Sequence, residues 1–201
     1  WARVGSARLF SSSGYLTRKF DNPEDIDWQY RQSGNYTCAP QYWLSYVYCM
    51  YAEAKAELGT LTDEDLDISI NKLYARAELP KQTVASLSSI NDTANDMGVS
   101  SLIWEIRRCR RCELMFDRDF RYWDLVRWHQ LDKLDNVKNP DIRLGANIKN
   151  GNAPYAYMSG DYMLATPNNN RIYDARQYLY PVPQNQINLT FGAVTQNPLW
   201  K

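Results

Sequence analysis

Apolar residues recur at helical spacing most clearly over residues 102–116, which makes this stretch the predicted centre of the fold. Four arginines and several acids fill the opposite face, so the pattern predicts an amphipathic helix with a salt-bridged surface. Ser100 lies at its N-cap position. A second helical segment follows, in which we predict that four residues fold back on the first helix: Trp123, Val126, Arg127 and Leu131. The predicted stripe of the first helix consists of Leu102, Ile106, Cys109, Leu114 and Phe116.

Two further helices are predicted before it, over residues 40–58 and 62–78, which would form a helical hairpin. Gly59 is predicted to end the first helix, and Thr62 and Asp65 form an approximate capping box at the start of the second helix. We expect the pair to pack against the central helix. The predicted stripes are Trp43, Val47, Met50, Ala54 and Leu58 in the first helix, and Leu66, Ile70, Leu73 and Ala77 in the second.

Two segments are predicted to lack helix. Residues 81–98 are polar and are interpreted as a linker. In residues 178–200, Pro181 and Pro183 are expected to exclude a regular helix and to impose an extended backbone.

These patterns predict a mainly α fold, with tetratricopeptide-like helical hairpins, long irregular loops and a few short strands. Residues 1–37 are interpreted as an irregular lead-in, residues 40–134 as a helical core and residues 135–201 as a loop-rich C-terminal region. We also expect the lead-in to pack against further chain of the same protein before Trp1.

The net charge and the composition of the chain limit its possible functions. The 23 basic and 23 acidic residues give a net charge of zero, which argues against nucleic acid as a partner. The chain has 15 tyrosines and 7 tryptophans, whose flat apolar faces with a polar edge suit contact with sugar rings. Most of them are nevertheless expected to fill the core and anchor loops.

The four cysteines, Cys38, Cys49, Cys109 and Cys112, are interpreted as buried or half-buried structural thiols. A metal site is not expected, because zinc would need two ligands beyond the two cysteines of the central helix and the chain has a single histidine. A disulfide of the central helix with Cys38 or Cys49 stays open, since it depends on the redox compartment.

No catalytic residue is predicted. The single histidine, His129, lacks the setting of a nucleophile elbow and is interpreted as structural. The acids that could form a glycosidase pair are better explained as partners of adjacent arginines. No phosphate-binding glycine loop is present, so no cofactor is expected.

Three segments resemble the SusD/RagB family. The first is YAEAKAELG followed by INKLYARAELP, the second is the central helix with its FRYWDLVRW continuation, and the third is the C-terminal run from YPVP to QNPLW. Together they cover roughly residues 40–200, which we interpret as the C-terminal portion of a family member. The C-terminal matches are Tyr180, Pro181, Pro183, Asn188, Gln196, Asn197, Pro198 and Trp200.

The resemblance implies a non-enzymatic lipoprotein on the bacterial cell surface. Such a protein binds oligosaccharide or polysaccharide and delivers it to a SusC-like TonB-dependent transporter in the outer membrane. Two alternatives stay open: a helical-repeat scaffold for protein partners, and an α-helical glycoside hydrolase.

Residues 147–173 are the predicted ligand platform, because tyrosines lie there beside polar residues and away from any periodic core face. The alternative interpretation is that these tyrosines anchor the loop to the helices. The candidate ligand-binding residues are Tyr155, Tyr157, Tyr162, Asn152, Asp161 and Arg171.

Overall fold

The computed structural model describes residues 13–15, 41–117, 119–150 and 157–200, and helices dominate these ranges, which confirms the mainly α prediction. The tetratricopeptide-like form of the hairpins stays a prediction. None of the described helices is long and apolar enough to cross a membrane. The α-helices are α1 (Leu44–Glu57), α2 (Asp63–Ile68), α3 (Ile70–Arg76), α4 (Val84–Ser89), α5 (Ser101–Glu113), α6 (Phe120–Arg127) and α7 (Gln184–Leu189). The strands are β1 (Leu144–Asn147), β2 (Met158–Ser159) and β3 (Tyr162–Leu164), and short 3-10 helices cover Leu131–Leu134, Pro140–Arg143 and Ala175–Tyr178.

The chain divides into two compact units. The helical unit spans Arg18–Arg121 and contains α1 to α5. The C-terminal unit combines Trp1–Thr17 with Tyr122–Lys201 and contains the three strands and α7.

Helix α1 ends as the sequence predicts. Gly59 takes a φ of 67°, in the left-handed region that glycine adopts without strain. Its N–H donates to the Ala56 carbonyl at 3.0 Å, and the Thr60 N–H donates to the Lys55 carbonyl at 2.9 Å. These two bonds satisfy the last carbonyls of the helix in the manner of a Schellman motif.

The predicted buried stripe of α1 is wrong. Trp43 is half-buried, and Val47, Met50, Ala54 and Leu58 are exposed. Helix α1 packs against α5 through a different face, where Glu53 accepts a hydrogen bond from Arg107 Nε at 2.9 Å. Because α1 is apolar around most of its circumference, hydropathy alone did not identify the face that α5 covers. The buried residues of α1 are Cys49, Ala52, Glu53 and Ala56.

The helix predicted over residues 62–78 exists but is split into α2 and α3 at Ser69. The Thr62–Asp65 capping box is confirmed, with the Asp65 N–H donating to Thr62 Oγ1 at 3.2 Å. The Ser69 hydroxyl donates to the Asp65 carbonyl at 2.5 Å, an alternative to the helical N–H that breaks the regular pattern. Leu66, Ile70 and Leu73 are buried as predicted, whereas Ala77 is exposed because α3 ends at Arg76.

The interpretation of residues 81–98 as a linker is wrong at its start, where α4 forms. Thr83 and Ser86 cap this helix reciprocally, with the Ser86 N–H donating to Thr83 Oγ1 at 3.0 Å. Leu87 is fully buried in the same cluster as the α1, α2 and α3 residues. The helix is only six residues long, so it carries one buried leucine instead of a recognisable stripe.

Helix α5 begins at the predicted cap, where the Ile103 N–H donates to Ser100 Oγ at 3.3 Å. Ile106 is fully buried and Leu114 is buried. Phe116 is exposed, contrary to the prediction, because the helix has already ended at Glu113 and Phe116 takes a φ of 64°.

The charged face of α5 is salt-bridged as predicted, in part across helices. Arg108 pairs with Glu105 one turn away, and Arg107 reaches Glu53 and Glu57 of α1. Glu113 pairs at 2.5 Å with Arg76 of α3. The arginines of this face therefore connect helices that are distant in sequence.

The three described cysteines are free thiols of different exposure. Cys49 is buried and Cys109 is half-buried, as predicted, and their thiols are hydrogen-bonded to each other. This bond, together with burial, raises the pKa of Cys49 far above its ordinary value. Cys112 is exposed, contrary to the prediction, and Cys38 lies outside the described residues.

The C-terminal unit contains a small antiparallel sheet in the order β1-β3-β2. A Cβ at Gly145 would lie 2.3 Å from the Ser13 carbonyl oxygen, so only glycine permits this close approach. In α6, Trp123 and Arg127 are exposed, contrary to the prediction, because the buried face of the helix runs through Asp124 and Leu125. Val126 is half-buried and Leu131 is buried.

The prediction that residues 178–200 lack a regular helix is also wrong. Helix α7 begins immediately after Pro183, which occupies its N-cap with an extended backbone. Proline is compatible with a helix start because the first N–H groups have no intrahelical partner. The two prolines therefore delay the helix instead of excluding it.

Candidate functional site

Side chains from the QNPLW end of the chain hold the preceding YPVP segment in place. The Gln196 side chain accepts a hydrogen bond from the Val182 N–H at 2.7 Å and donates one to the Val182 carbonyl at 2.9 Å. The Trp200 indole N–H donates to the Leu179 carbonyl at 2.7 Å. An extended backbone outside a sheet needs such partners, because its polar groups are not satisfied locally.

A second set of side chains fixes the loop over residues 169–173. Asn136 receives the Arg171 N–H on its side-chain oxygen at 2.9 Å, and its own N–H donates to the Arg171 carbonyl at 3.0 Å. Its amide group donates to the Asn169 carbonyl at 2.7 Å. The neighbouring Asp135 accepts the Tyr173 N–H at 3.1 Å. Asp135 and Asn136 are both almost fully buried, so the loop backbone is held from inside the unit.

Asp135 is a carboxylate stabilised by backbone donors. The N–H groups of Lys138, Tyr173 and Val137 donate to it at 3.0, 3.1 and 2.9 Å. These bonds favour the ionised form and lower the pKa of Asp135 below its ordinary value. Its oxygens are therefore largely occupied by the protein.

These two fixed segments border a pocket of about 530 Å³, which lies entirely within the C-terminal unit. Its volume falls within the usual range for small-molecule sites, roughly 300–1,000 Å³. The lining contains aliphatic side chains, one proline, aromatic rings and several polar residues. The aromatic lining residues are Tyr122, Tyr173, Tyr180 and Trp200.

Several polar groups of the lining have hydrogen-bonding capacity to spare. Among the described residues, neither the Asn170 amide nor the Arg171 guanidinium makes a hydrogen bond or an ion pair. Gln177 accepts the Asp174 N–H at 3.1 Å through its oxygen, which leaves its NH₂ group available. The pocket thus presents donors beside aromatic rings.

Two tyrosines of the lining, Tyr122 and Tyr173, have raised pKa values. A hydrogen bond to Tyr180 raises the pKa of Tyr122, and burial followed by a hydrogen bond to Tyr178 raises the pKa of Tyr173. The rings of Tyr173 and Tyr178 meet edge to face, with centroids 6.0 Å apart. These contacts fix where the aromatic faces lie.

The predicted ligand-binding residues fall in two different places. Tyr157, Asp161 and Tyr162 lie on the exposed hairpin formed by β2 and β3, where Asp161 is 3.6 Å from the Lys149 amine. Arg171 lies apart from that hairpin in the sequence and lines the pocket. The remaining two candidates, Tyr155 and Asn152, lie outside the described residues.

Comparison with known protein families shows to which family the chain belongs. The SusD family model matches residues 2–200, nearly the whole chain. The chain belongs to the SusD family. No curated protein and no solved structure shows significant similarity to it. SusD family proteins are carbohydrate-binding, non-catalytic lipoproteins of nutrient uptake at the outer-membrane surface.

The SusD-like sequence signatures have structural roles in this chain. Asn71, from the INKLYARAELP signature, exchanges two hydrogen bonds of 2.9 Å with the backbone of Gln82. Gln196 and Trp200, from the C-terminal signature, hold the YPVP segment as described above. These two signatures therefore mark places where a polar side chain satisfies an irregular backbone.

The sequence did not identify the pocket. Only Arg171 was among the candidates, and Asn170, Gln177 and Tyr180 were not. The lining comes from three separate parts of the chain, around residues 122–135, 170–181 and 200. No spacing rule connects these parts. The YPVP…QNPLW signature was the nearest signal, since it marks two of the three.

Proposed function

We propose that this chain is part of a non-catalytic cell-surface protein that binds oligosaccharide or polysaccharide and passes it to a SusC-like TonB-dependent transporter. Membership of the SusD family, over residues 2–200, is the observation that carries the proposal. The zero net charge and the many tyrosines and tryptophans agree with a glycan ligand.

The pocket of the C-terminal unit is the proposed binding site. A sugar ring has a face of C–H bonds and an edge of hydroxyl groups. Tyr180 is well exposed and offers an aromatic face, while Asn170 and Gln177 offer amide groups for the hydroxyls. Because neighbouring side chains hold the backbone of both segments, little ordering is needed on binding, which favours affinity.

The pocket chemistry supports binding without cleavage. Glycoside hydrolysis requires two carboxyl groups, one of them a general acid whose pKa is raised. Asp135 is the single carboxylate among the lining residues, and its pKa is lowered. Its oxygens accept three backbone N–H groups, so it is poorly placed to donate a proton to a leaving group.

The proposal is tested by incubating the full chain with a panel of soluble polysaccharides and measuring both retention in affinity electrophoresis and release of reducing ends. We expect retention by at least one glycan with no new reducing ends. Cleavage that is lost on replacing a carboxylate would establish the glycoside hydrolase alternative instead. Failure to bind any glycan, with retention of peptide ligands, would favour the scaffold alternative.

The site is tested with two matched variants, Tyr180→Leu in the pocket and Tyr162→Leu on the β2–β3 hairpin. Tyr180→Leu should lower glycan affinity about fivefold or more, with an unchanged melting temperature, if the pocket binds the ring. The hairpin with Tyr157, Asp161 and Tyr162 is the second candidate surface. An effect of Tyr162→Leu alone would assign the ligand to the hairpin.

Delivery to a transporter is tested separately from glycan binding. An affinity-tagged version of the whole protein, purified from detergent-solubilised outer membranes, should retain a TonB-dependent barrel. Loss of the protein should also reduce growth on the glycan that it binds. Binding without co-purification or a growth effect would leave the binding function and remove the delivery role.

A further inference from the structure

We propose that the pocket of the C-terminal unit selects acidic saccharides, and that the guanidinium of Arg171 binds the carboxylate of a hexuronic acid residue. This inference rests on the proposed glycan-binding function and names the ligand class of the same pocket. The charged groups that line the pocket support it.

Hydrogen bonds hold the backbone of Arg171 in place, whereas its guanidinium makes no hydrogen bond among the described residues. Both its N–H and its carbonyl are hydrogen-bonded to Asn136, at 2.9 and 3.0 Å, and the flanking Asn169 and Tyr173 are held by Asn136 and Asp135. Asn136 is only 1% exposed, so this support is internal and rigid. Such an arrangement positions a side chain for a ligand without using its functional group.

Arg171 differs from the other described arginines of its unit. Arg127 lies 3.7 Å from a carboxylate, Arg143 donates to a backbone carbonyl at 2.8 Å, and Arg176 lies 3.3 Å from a carboxylate. The Arg171 guanidinium has no hydrogen bond or ion pair among the described residues, and its side chain is exposed at the pocket. Its five donors are therefore free for a ligand.

Asp135, the acidic residue of the lining, does not neutralise the charge of Arg171 by direct contact. Asp135 is buried, directs its oxygens to three backbone N–H groups and forms no ion pair with Arg171. A ligand that enters the pocket meets the guanidinium and the amides of Asn170 and Gln177, all of which can donate. The donors therefore complement a ligand rich in acceptors.

A hexuronic acid matches the three kinds of lining group. Its ring offers a C–H face to Tyr180 or Trp200, and its hydroxyls can bond Asn170 and Gln177. Its carboxylate can accept two parallel hydrogen bonds from Arg171, a geometry that is stronger than a bond to a neutral hydroxyl. A neutral sugar would leave this last interaction weaker.

The test compares acidic oligosaccharides with their methyl esters, which keep the ring and remove the charge. Oligomers of galacturonate, glucuronate-containing disaccharides and mannuronate are each titrated as acid and as ester by calorimetry at low salt. We expect at least one acid to bind the full chain about tenfold or more tightly than its ester, since charged hydrogen bonds exceed neutral ones by that order. The preference should decrease at high salt.

Three variants separate selectivity from folding. Arg171→Gln should abolish the preference for the acid while the ester binds as before, and Arg171→Lys should restore part of it. Arg111→Gln removes another exposed arginine, in α5 and outside the pocket lining, and should change neither affinity. All three should melt like the wild-type chain.

Two results would overturn the inference while the proposed function stands. They are equal affinity for acid and ester in the wild-type chain that binds both, and an acid preference that survives in Arg171→Gln. If the chain binds no acidic, esterified or neutral glycan at all, the proposed function fails and this inference fails with it.

Discussion

The two units of this chain are held together by different interactions. In the helical unit, the helices satisfy most of their own backbone groups, and an apolar cluster of side chains from α1 to α5 lies beside buried charged residues such as Glu53 and Glu105. In the C-terminal unit, the buried residues include Asp135 and Asn136, which bond the backbone of a loop 33 or more residues later. The difference follows from the backbone: irregular segments need side-chain partners for polar groups that a helix satisfies internally.

The charged residues show the same difference. In the helical unit, Arg107 reaches Glu53, which is only 3% exposed, so an ion pair is enclosed between α1 and α5. In the C-terminal unit, Arg171 is presented at a pocket without a partner among the described residues. The charge of Arg107 therefore stabilises helix packing, whereas the charge of Arg171 is available to a ligand.

The largest expected effect tests the apolar interior of the helical unit. Leu66 is fully buried, so Leu66→Ala should lower the free energy of unfolding by about 3–5 kcal/mol through lost contacts and a cavity. Leu58→Ala is the matched control, because Leu58 is 75% exposed and should change it by less than ~0.5 kcal/mol. Urea unfolding measures both. Similar losses would show that burial does not distinguish these positions.

The next effect tests the enclosed ion pair. Arg107→Met leaves the buried carboxylate of Glu53 without this partner and should cost about 2–3 kcal/mol, somewhat less than for a fully buried pair. Arg76→Met removes the exposed end of the pair with Glu113 and should cost under ~1 kcal/mol. If the two variants unfold at the same urea concentration, the Arg107 pair behaves as a surface salt bridge.

A smaller effect tests the side chains that hold the C-terminal loops. Asn136→Ala removes the partners of the Arg171 N–H and the Asn169 carbonyl and should cost about 1–3 kcal/mol. Asn185→Ala replaces an exposed asparagine of α7 and should be nearly neutral. Hydrogen exchange at the Arg171 amide should accelerate in the first variant only. Unchanged protection there would mean that the loop is fixed by other contacts.

The smallest effect is a dependence on pH. Because the pKa of Asp135 is lower in the folded chain, the unfolded chain takes up the proton first as pH decreases. The stabilisation from Asp135 is therefore complete above about pH 4 and is lost as the pH falls further. Asp135→Asn should flatten this part of the stability curve, whereas Asp141→Asn, at an exposed position, should preserve it. Equal slopes in both variants would contradict the role of Asp135.

Local signals in the sequence predicted local features well. The Ser100 cap, the Thr62–Asp65 capping box and the Gly59 stop were all confirmed, since each depends on residues within one turn. The predicted burial of Leu66 and Ile106 was also confirmed.

The wrong predictions concern features that depend on contacts with a distant part of the chain. Met50 was predicted to be buried and is 47% exposed, because α5 covers another face of α1. Helix α4 was missed because it is fixed by Leu87 in the shared core and not by its own periodicity. Its Val84 N–H also donates to Asp63, 21 residues earlier.

By itself, the sequence determined the family, the mainly α class and the caps of the predicted helices, because signatures and capping residues are short-range patterns. Only the tertiary structure decided which face of α1 is buried and that residues near 122–135, 170–181 and 200 border one pocket. Asn136 illustrates the reason: it looks like any loop asparagine, yet it holds Arg171 through bonds across 35 residues. Such contacts depend on where the folded chain places its loops, which no local pattern encodes.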